Sequence, residues 1–190
     1  MGLPLITRSE YKAYVGITSP NSDPVIDAII PKVSEFVKTY CRRTFVDYVN
    51  DALTETTHGG YGDKLTLKEY PVLNVSSVAF SEDYGQTYTD LVEYTDYVVD
   101  FNDATIIAIS GDFPKYLNGY QVTYTAGYED IPTDLKLAVM DLVTYYIKND
   151  MAVHSPKAPG TNSVQVEYIT TSALPAHIRR VLDMYKGSWD

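Results

Sequence analysis

The chain has 190 residues, a formal net charge of −10 and 45% hydrophobic residues. This length suffices for one ordinary domain or two small ones, and the composition excludes bulk disorder and collagen-like structure. The longest apolar run, Ile106–Ile109, is far shorter than the roughly 20 residues that span a bilayer. Because the first residues lack the basic and apolar segments of a signal peptide, we expect a soluble chain that is neither exported nor bound to a membrane.

The excess negative charge lies in the middle of the sequence. Residues 51–134 hold 15 Asp and Glu against three Lys and Arg, whereas residues 1–50 and 135–190 are each nearly neutral. The same middle segment holds ten of the 18 tyrosines. Because an acidic surface repels phosphates, the charge pattern excludes a protein that coats or wraps nucleic acid. DNA could still pass close to such a surface without being held.

Two helices are predicted near the N-terminus. Thr7 and Glu10 have the spacing of a capping box, which predicts a short helix over residues 8–15. Apolar residues then recur at helical spacing, which predicts a second helix over residues 24–43 with one buried face. Pro31 lies inside this pattern and is expected to kink the second helix.

From residue 46 to residue 130 the hydrophobic period changes from helical to alternating. Runs rich in Val, Ile, Thr and Tyr are separated by Gly, Asn and Asp turns, which is typical of short β-strands. No helical pattern lies between them, so we expect an antiparallel sheet or a small sandwich. The predicted strands are Leu65–Leu67, Val72–Phe80, Tyr94–Val99, Thr105–Ile109 and Tyr120–Thr125.

Helical spacing returns after residue 130. A third helix is predicted to end at residue 149, and a last helix is predicted to begin near Pro175. Between them, residues 150–173 are predicted to form a long connection, because Ser155–Gly160 contains two prolines and a glycine. An alternating pattern around Val166 could form one strand within that connection.

The predicted fold class is therefore α+β. A small bundle of two N-terminal and two C-terminal helices would carry an inserted antiparallel β-sheet module. The predicted parts are residues 1–45 (N-terminal helices), 46–130 (acidic β module), 131–149 (third helix), 150–173 (connection) and 174–190 (C-terminal helix and tail).

The sequence lacks the motifs of common enzymes. There is no P-loop, no nucleophile elbow and no dinucleotide-binding motif. The three histidines have no Cys or His partner at metal-ligand spacing, so we expect no structural zinc site. The adjacent carboxylates Glu82–Asp83 and Glu129–Asp130 could serve an acid–base hydrolase, but both pairs lie in predicted turns, where acids are normally solvated. Cys41, the single cysteine, is interpreted as a packed thiol.

The abundant tyrosines leave two interpretations open. They could line a sugar-binding face, or they could serve protein interfaces, and we favour interfaces. Trp189 lies almost at the C-terminus and could anchor a partner, because tryptophan is a common interface hot spot. Composition and spacing alone thus indicate an α+β interaction protein with an acidic β module.

Several short stretches resemble the head–tail connector proteins of tailed bacteriophages, which are also called adaptor or head-completion proteins. They occur in the family's order over roughly residues 3–148, and the most specific of them surrounds Gly127. The matching stretches are Leu5–Thr7, Tyr14–Ile17, Tyr40–Phe45, Glu69–Val72, Val75–Val78, Val122–Tyr128, Ile131–Pro132 and Asp134–Ala138. Residues 150–173 and Pro31 depart from the family's pattern.

The resemblance implies a structural virion protein without catalytic residues or a cofactor. The family forms a ring, usually of twelve copies, beneath the portal protein at the capsid vertex, in the neck. Such a ring gives the next tail, stopper or head-closure protein a docking surface and lets DNA pass through its lumen. Another tail or virion structural protein, or a carbohydrate-binding module, remains the alternative.

Ring subunits make head-to-tail contacts, so each copy needs two different patches. The predicted residues of an interface with the portal or a neighbouring copy are His154, Tyr168, Arg179, Arg180, Tyr185 and Trp189. The loop tip at Gly60, Tyr61 and Asp63 is predicted to reach a neighbouring copy or the tail side.

Overall fold

A computed structural model describes residues 2–60, 62–153 and 174–187, without the side chains of residues 149–153. The chain divides into two compact units. We call the described parts of Met1–Arg42 and Ile131–Lys186 the helical unit, and Arg43–Asp130 the β unit. The predicted α+β class with antiparallel sheets is confirmed.

The described part of the helical unit contains four α-helices. They are α1 (Arg8–Val15), α2 (Asp23–Cys41), α3 (Thr133–Val153) and α4 (Ala176–Met184), with a 3-10 turn at Pro20–Ser22. The helix predicted to end at residue 149 continues to Val153, because the next proline in the sequence is Pro156. None of the described helices is long and apolar enough to cross a membrane.

Local signals set the ends of the first two helices. The hydroxyl of Thr7 accepts the Glu10 N–H at 3.2 Å, and the Glu10 carboxylate accepts the Thr7 N–H at 2.7 Å, which completes the predicted capping box. Helix α2 continues through Pro31 and ends at Cys41, two residues before the predicted end. Arg42 ends it because its φ of 55° lies in the left-handed region, where its N–H bonds back to the last turn.

The core of the helical unit is mainly aliphatic. Cys41 is fully buried on α2, and its Sγ lies 3.5 Å from the Leu182 carbonyl oxygen of α4, so the prediction of a packed thiol is confirmed. Buried aliphatic side chains from α2, α3 and α4 surround it. They include Ile26, Ile30, Val33, Val37, Leu135, Val139, Leu142, Val143, Ile178 and Leu182.

The described part of the β unit contains seven strands in two antiparallel sheets. The strands are β1 (Leu53–Thr57), β2 (Lys64–Thr66), β3 (Val72–Phe80), β4 (Thr89–Asp90), β5 (Tyr97–Asp100), β6 (Thr105–Ala108) and β7 (Tyr120–Ala126). One sheet has the order β1-β7-β3-β4 and the other the order β2-β6-β5. Buried side chains of both sheets belong to one core, which includes Leu65, Val78, Tyr97, Ile106, Val122 and Tyr124.

Three strand predictions need correction. Strand β1 was not predicted, because Glu55 occupies a buried position and hides the apolar alternation. Strand β4 has only two residues and is too short for a periodic pattern. The strand predicted from Tyr94 begins at Tyr97, because Tyr94 has a φ of 63° and belongs to a turn.

Candidate interaction surfaces

Three loops meet at one end of the four-stranded sheet. Strands β1 and β3 both end opposite Tyr120, the first residue of β7, so the segments that follow β1 and β3 and precede β7 share that end. Cross-loop hydrogen bonds join them: the Asn118 N–H donates to Nδ1 of His58 at 2.8 Å, and the Tyr88 hydroxyl donates to the Asn118 carbonyl at 2.9 Å. This end presents a fixed surface.

Gly60 and Asp63, the two predicted loop-tip residues that the structure describes, are both exposed. The Gly60 N–H donates to the Phe113 carbonyl at 2.8 Å, next to the loop that precedes β7. The Asp63 carbonyl accepts the Ala108 N–H at 2.8 Å, next to the three-stranded sheet. Backbone hydrogen bonds therefore hold each of these two residues to a neighbouring segment.

A second loop at the same end presents Tyr84, which is 66% exposed. The Asp83 carboxylate organises this loop by accepting the hydroxyls of Ser81 at 2.7 Å and Thr87 at 2.6 Å and the backbone N–H groups of Gln86 and Thr87. These hydrogen bonds, those from Thr87 foremost, hold the pKa of Asp83 well below its ordinary range. The Asp83 carboxylate therefore holds the conformation of this loop and is not merely a solvated turn residue.

A second surface lies at the end of the three-stranded sheet, and we call Val92–Asp96 together with Ile109 the acidic turn. The Val92 N–H donates to Oδ2 of Asp96 at 2.7 Å, and the Ile109 N–H donates to the Asp96 carbonyl at 3.0 Å. These bonds bring Val92, Tyr94 and Ile109 together at the surface, with 58%, 79% and 48% of each exposed. No sequence pattern places Ile109 beside this turn.

Negative charge surrounds the acidic turn. Asp90, Glu93 and Asp96 are all exposed. Burial first, and then the charges of these three carboxylates, raise the pKa of Tyr97 beside them. Residues 69–114 contain nine Asp and Glu and no Lys or Arg. The surface here is therefore apolar at its centre and acidic around it.

Helix α4 carries the predicted residues that the structure describes in the C-terminal part. Arg180 is exposed, Arg179 is partly exposed, and Met184 lies one turn beyond Arg180 and is 65% exposed. The Tyr185 hydroxyl donates to the Asp134 carboxylate at 2.7 Å, so Tyr185 has a partner within its own unit. We call Arg179, Arg180 and Met184 the basic face of α4. The exposed Asp183 lies beside them, and its carboxylate is paired with Lys186 at 2.6 Å.

Four predicted interface residues lie outside the described residues. They are Tyr61, His154, Tyr168 and Trp189. The strand considered around Val166 lies outside them as well.

Sequence reasoning missed the role of Arg43, which is buried in the β unit. Its guanidinium carbon lies 3.3 Å from the Tyr70 ring centroid and 4.9 Å from that of Phe45, and the guanidinium donates to the Tyr70 carbonyl. The neighbouring Thr44 N–H donates to the Glu69 carboxylate at 3.0 Å. Arg43 therefore holds the start of the β unit in place and is not a surface cation.

A buried polar network also went unpredicted. The Tyr124 hydroxyl donates to Oε2 of Glu55 at 2.8 Å and accepts the Glu69 N–H at 3.1 Å. Burial raises the pKa of Glu69 and of Tyr124. All three side chains are buried, and their polar atoms bond one another and the backbone. The network organises the sheet and offers no carboxylate to a substrate.

Within the described ranges, no three or more His, Cys, Asp and Glu side chains are placed to hold a metal ion. His58 accepts the Asn118 N–H, and Nε2 of His177 lies 3.7 Å from the Asp141 carboxylate. Glu82, Glu129 and Asp130 are exposed in turns. What the described surface offers is therefore contact chemistry: exposed apolar side chains, acids and a pair of arginines.

The fold of this chain occurs in solved structures of other proteins. The chain shares its fold with a protein from the neck of an empty gene transfer agent particle with C6 symmetry, at a TM-score of 0.58 and 17% identity over 100% of this chain and 91% of the other. It shares the fold as well with a protein from the neck of a native gene transfer agent particle with C12 symmetry, at a TM-score of 0.59 and 14% identity over 96% and 88%.

Residues 4–187 match the model of the head completion protein family, and the chain belongs to that family. A relative, the head completion protein of Escherichia phage T5, is 24% identical over 183 residues, which cover 96% of this chain and 98% of the relative. The resemblance drawn from short motifs is thus confirmed. The chain is a structural virion protein of phage head completion.

Proposed function

We propose that the protein forms a ring of twelve copies in the virion neck, beneath the portal protein at the capsid vertex. The ring would present a docking surface to the next tail, stopper or head-closure protein and would let DNA pass through its lumen. The match to the head completion family over nearly the whole chain carries this proposal. The C6 and C12 symmetry of the necks that hold chains of the same fold supports a ring.

The role we propose is non-enzymatic and needs no cofactor. Of the carboxylates considered for a hydrolase, Glu82, Glu129 and Asp130 are exposed in turns, and Asp83 is hydrogen-bonded within its own loop. A structural role uses the described surfaces as they are, because assembly contacts need exposed aromatic, aliphatic and arginine side chains.

Two different patches are needed in every copy of a closed ring. The chain offers the loop end of the β unit, with Gly60, Asp63 and Tyr84, and the basic face of α4. In this proposal the loop end reaches a neighbouring copy or the tail side. The interface with the portal or a neighbouring copy would comprise His154, Tyr168, Arg179, Arg180, Tyr185 and Trp189.

The acidity of the β unit suits a DNA channel. Residues 69–114 contribute eight exposed or partly exposed acids, in addition to the buried Glu69, and no Lys or Arg, so a wall formed by this segment would let DNA slide without being held. An electron-microscopy map of the neck at side-chain resolution tests this part. Acids at the lumen would support it, and acids confined to the outer rim would overturn it.

The central experiment mixes the purified chain with DNA-filled, tailless heads of its own phage that lack a neck. Heads are then sedimented, and the portal vertex is imaged by electron microscopy. We expect bound protein and a new ring of density beneath the portal. Heads that already carry a complete neck are the control and should bind no further copies. Failure of the folded chain to bind neck-deficient heads would overturn the proposal and favour another virion position or a glycan ligand.

A further inference from the structure

The acidic turn has the character of a protein contact rather than of ordinary surface. Val92, Tyr94 and Ile109 are each about half exposed or more, and the backbone hydrogen bonds of the turn hold them together. Clustered exposed apolar side chains with a polar rim are typical of interaction sites. The Tyr94 N–H donates to the Tyr97 carbonyl at 2.8 Å and the Asp96 N–H donates to the Val92 carbonyl at 2.8 Å, so the Tyr94 ring is carried on a hydrogen-bonded turn.

The charged residues around Val92, Tyr94 and Ile109 indicate which kind of surface can bind there. Asp90, Glu93 and Asp96 are exposed and close enough to Tyr97 to raise its pKa. The exposed Lys64 lies on the other side of the sheet's central strand, where it pairs with Ile107 of β6. Carboxylates thus predominate around Tyr94, and a basic surface with an apolar contact for that ring would complement them. Complementary charge of this kind selects the partner and the register of the contact.

The basic face of α4 has these properties. Arg180 and Met184 are four residues apart on one exposed face, and Arg179 adjoins them. An arginine guanidinium stacks on a tyrosine ring, and a methionine thioether packs against it. A single chain thus carries both an acidic apolar patch and a basic apolar patch.

We propose that the acidic turn of one copy packs against the basic face of α4 of the next copy. Glu93 pairs with Arg180 of that copy, and Tyr94 packs on its Met184. This inference rests on the ring of the proposed function, because a head-to-tail ring requires two different complementary patches on each copy. It commits α4 to a neighbouring copy rather than to the portal, and it commits these acids to the contact rather than to the lumen.

A charge-swap experiment on the full chain tests the contact. Binding to neck-deficient heads is measured as copies per head for the wild type, Glu93→Arg, Arg180→Glu and the double variant. Each single variant places like charges opposite each other at every contact and should lower binding about tenfold or more. The double variant restores an opposite pair at every contact and should recover most of the binding. Glu129→Arg, which reverses another exposed acid of the β unit, should bind like the wild type.

A pair of tyrosine variants tests the apolar half of the contact. Tyr94→Ala should lower copies per head, whereas Phe101→Ala should not. Phe101 is the control because it is another exposed aromatic residue in a turn of the β unit and belongs to neither proposed patch. Circular dichroism of each variant establishes that it is folded. Equal binding by Tyr94→Ala and Phe101→Ala would overturn the role of Tyr94.

The outcomes separate this inference from the proposed function. Wild-type ring density with no rescue in the double variant overturns the contact and leaves the ring intact. Loss of binding in Arg180→Glu alone, with Glu93→Arg unchanged, assigns α4 to the portal and also overturns the contact. Absence of wild-type binding overturns the proposed function itself.

Discussion

The helical unit and the β unit bury different kinds of side chains. The described core of the helical unit is mainly aliphatic, with Ser34 and Lys38 as its buried polar side chains, whereas the β unit buries two carboxylates and a guanidinium. Glu55, Glu69 and Arg43 are tolerated there because each meets hydrogen-bond donors or aromatic rings in fixed positions. The stability of the helical unit therefore depends mainly on how well its aliphatic side chains fill the core, and that of the β unit depends in addition on the geometry of buried hydrogen bonds.

The surfaces of the two units differ as well. The acid excess of the sequence falls within the β unit, as do most of the exposed aromatic residues that the structure describes. The exposed Arg180 and the partly exposed Arg179 lie on α4 of the helical unit. An assembly built from identical copies can use such a difference, because opposite patches on one chain favour contacts between unlike ends.

The largest effect is expected from a cavity in the helical unit. Leu142 on α3 is fully buried, so Leu142→Ala should lower the free energy of unfolding by about 3 kcal/mol. Urea denaturation followed by circular dichroism measures this. Leu137→Ala removes the same atoms from an exposed position of the same helix and should change stability by less than about 0.5 kcal/mol. Equal losses in the two variants would contradict the aliphatic core described here.

Removal of the Tyr124 hydroxyl should cause the largest loss of stability that any single polar group of the β unit can cause. Tyr124→Phe keeps the ring but leaves Glu55 without its donor and the Glu69 N–H without its acceptor, which should cost about 1–3 kcal/mol. The same urea titration applies. Tyr84→Phe removes a hydroxyl from an exposed tyrosine and should be close to neutral. A neutral Tyr124→Phe would show that the buried network contributes no stability.

A smaller loss is expected at the start of α1. Thr7→Ala removes the side-chain acceptor for the Glu10 N–H and should cost about 1 kcal/mol. Thr18→Ala, an exposed threonine outside the helices, is the matched control. The comparison is made on thermal unfolding curves recorded side by side. Identical curves for the two variants would mean that the capping box is not formed in solution.

The smallest expected effects are changes in the free energy of unfolding with pH. Ionisation of Glu10 in the helical unit should raise this free energy, and ionisation of Glu69 in the β unit should lower it. The hydrogen bond from Lys136 lowers the pKa of Glu10 below its ordinary 4.5, so its stabilisation is present above that pH and is lost as the pH falls through the lowered pKa. Burial raises the pKa of Glu69 above 4.5, so its ionisation costs stability as the pH rises from 4.5 through the raised pKa.

Two variants measure these signs. Relative to the wild type, Glu69→Gln should gain stability as the pH rises through that window, because it removes a carboxylate whose ionisation is unfavourable. Glu10→Gln should be less stable than the wild type at neutral pH, and the difference should close in acid. The urea concentration at half unfolding, measured from about pH 3 to about pH 7 for the wild type and each variant, tests both expectations. If the stability difference between variant and wild type changed with pH in the same direction for Glu10→Gln and Glu69→Gln, the two carboxylates would not differ in environment as described.

The sequence by itself determined the order and type of most elements. Capping, helical spacing and alternation act within a few residues, so α1, α2 and strands such as β3 and β7 could be predicted close to their observed bounds. The ordered short motifs indicated the head completion family in the same way. The errors fell where one residue opposed its local pattern, as Glu55 does in β1 and Tyr94 does before β5.

Only the tertiary structure decided which distant residues meet. Glu55 and Tyr124 are 69 positions apart, and their hydrogen bond depends on the register of β1 against β7. Ile109 reaches the acidic turn through the pairing of β6 with β5. Interface roles for Gly60, Asp63 and the arginines of α4 stay predictions, and no sequence pattern indicates the exposed apolar residues beside Glu93. The spacing of residues within one strand does not predict its register against another strand, and that register determines which side chains share a surface.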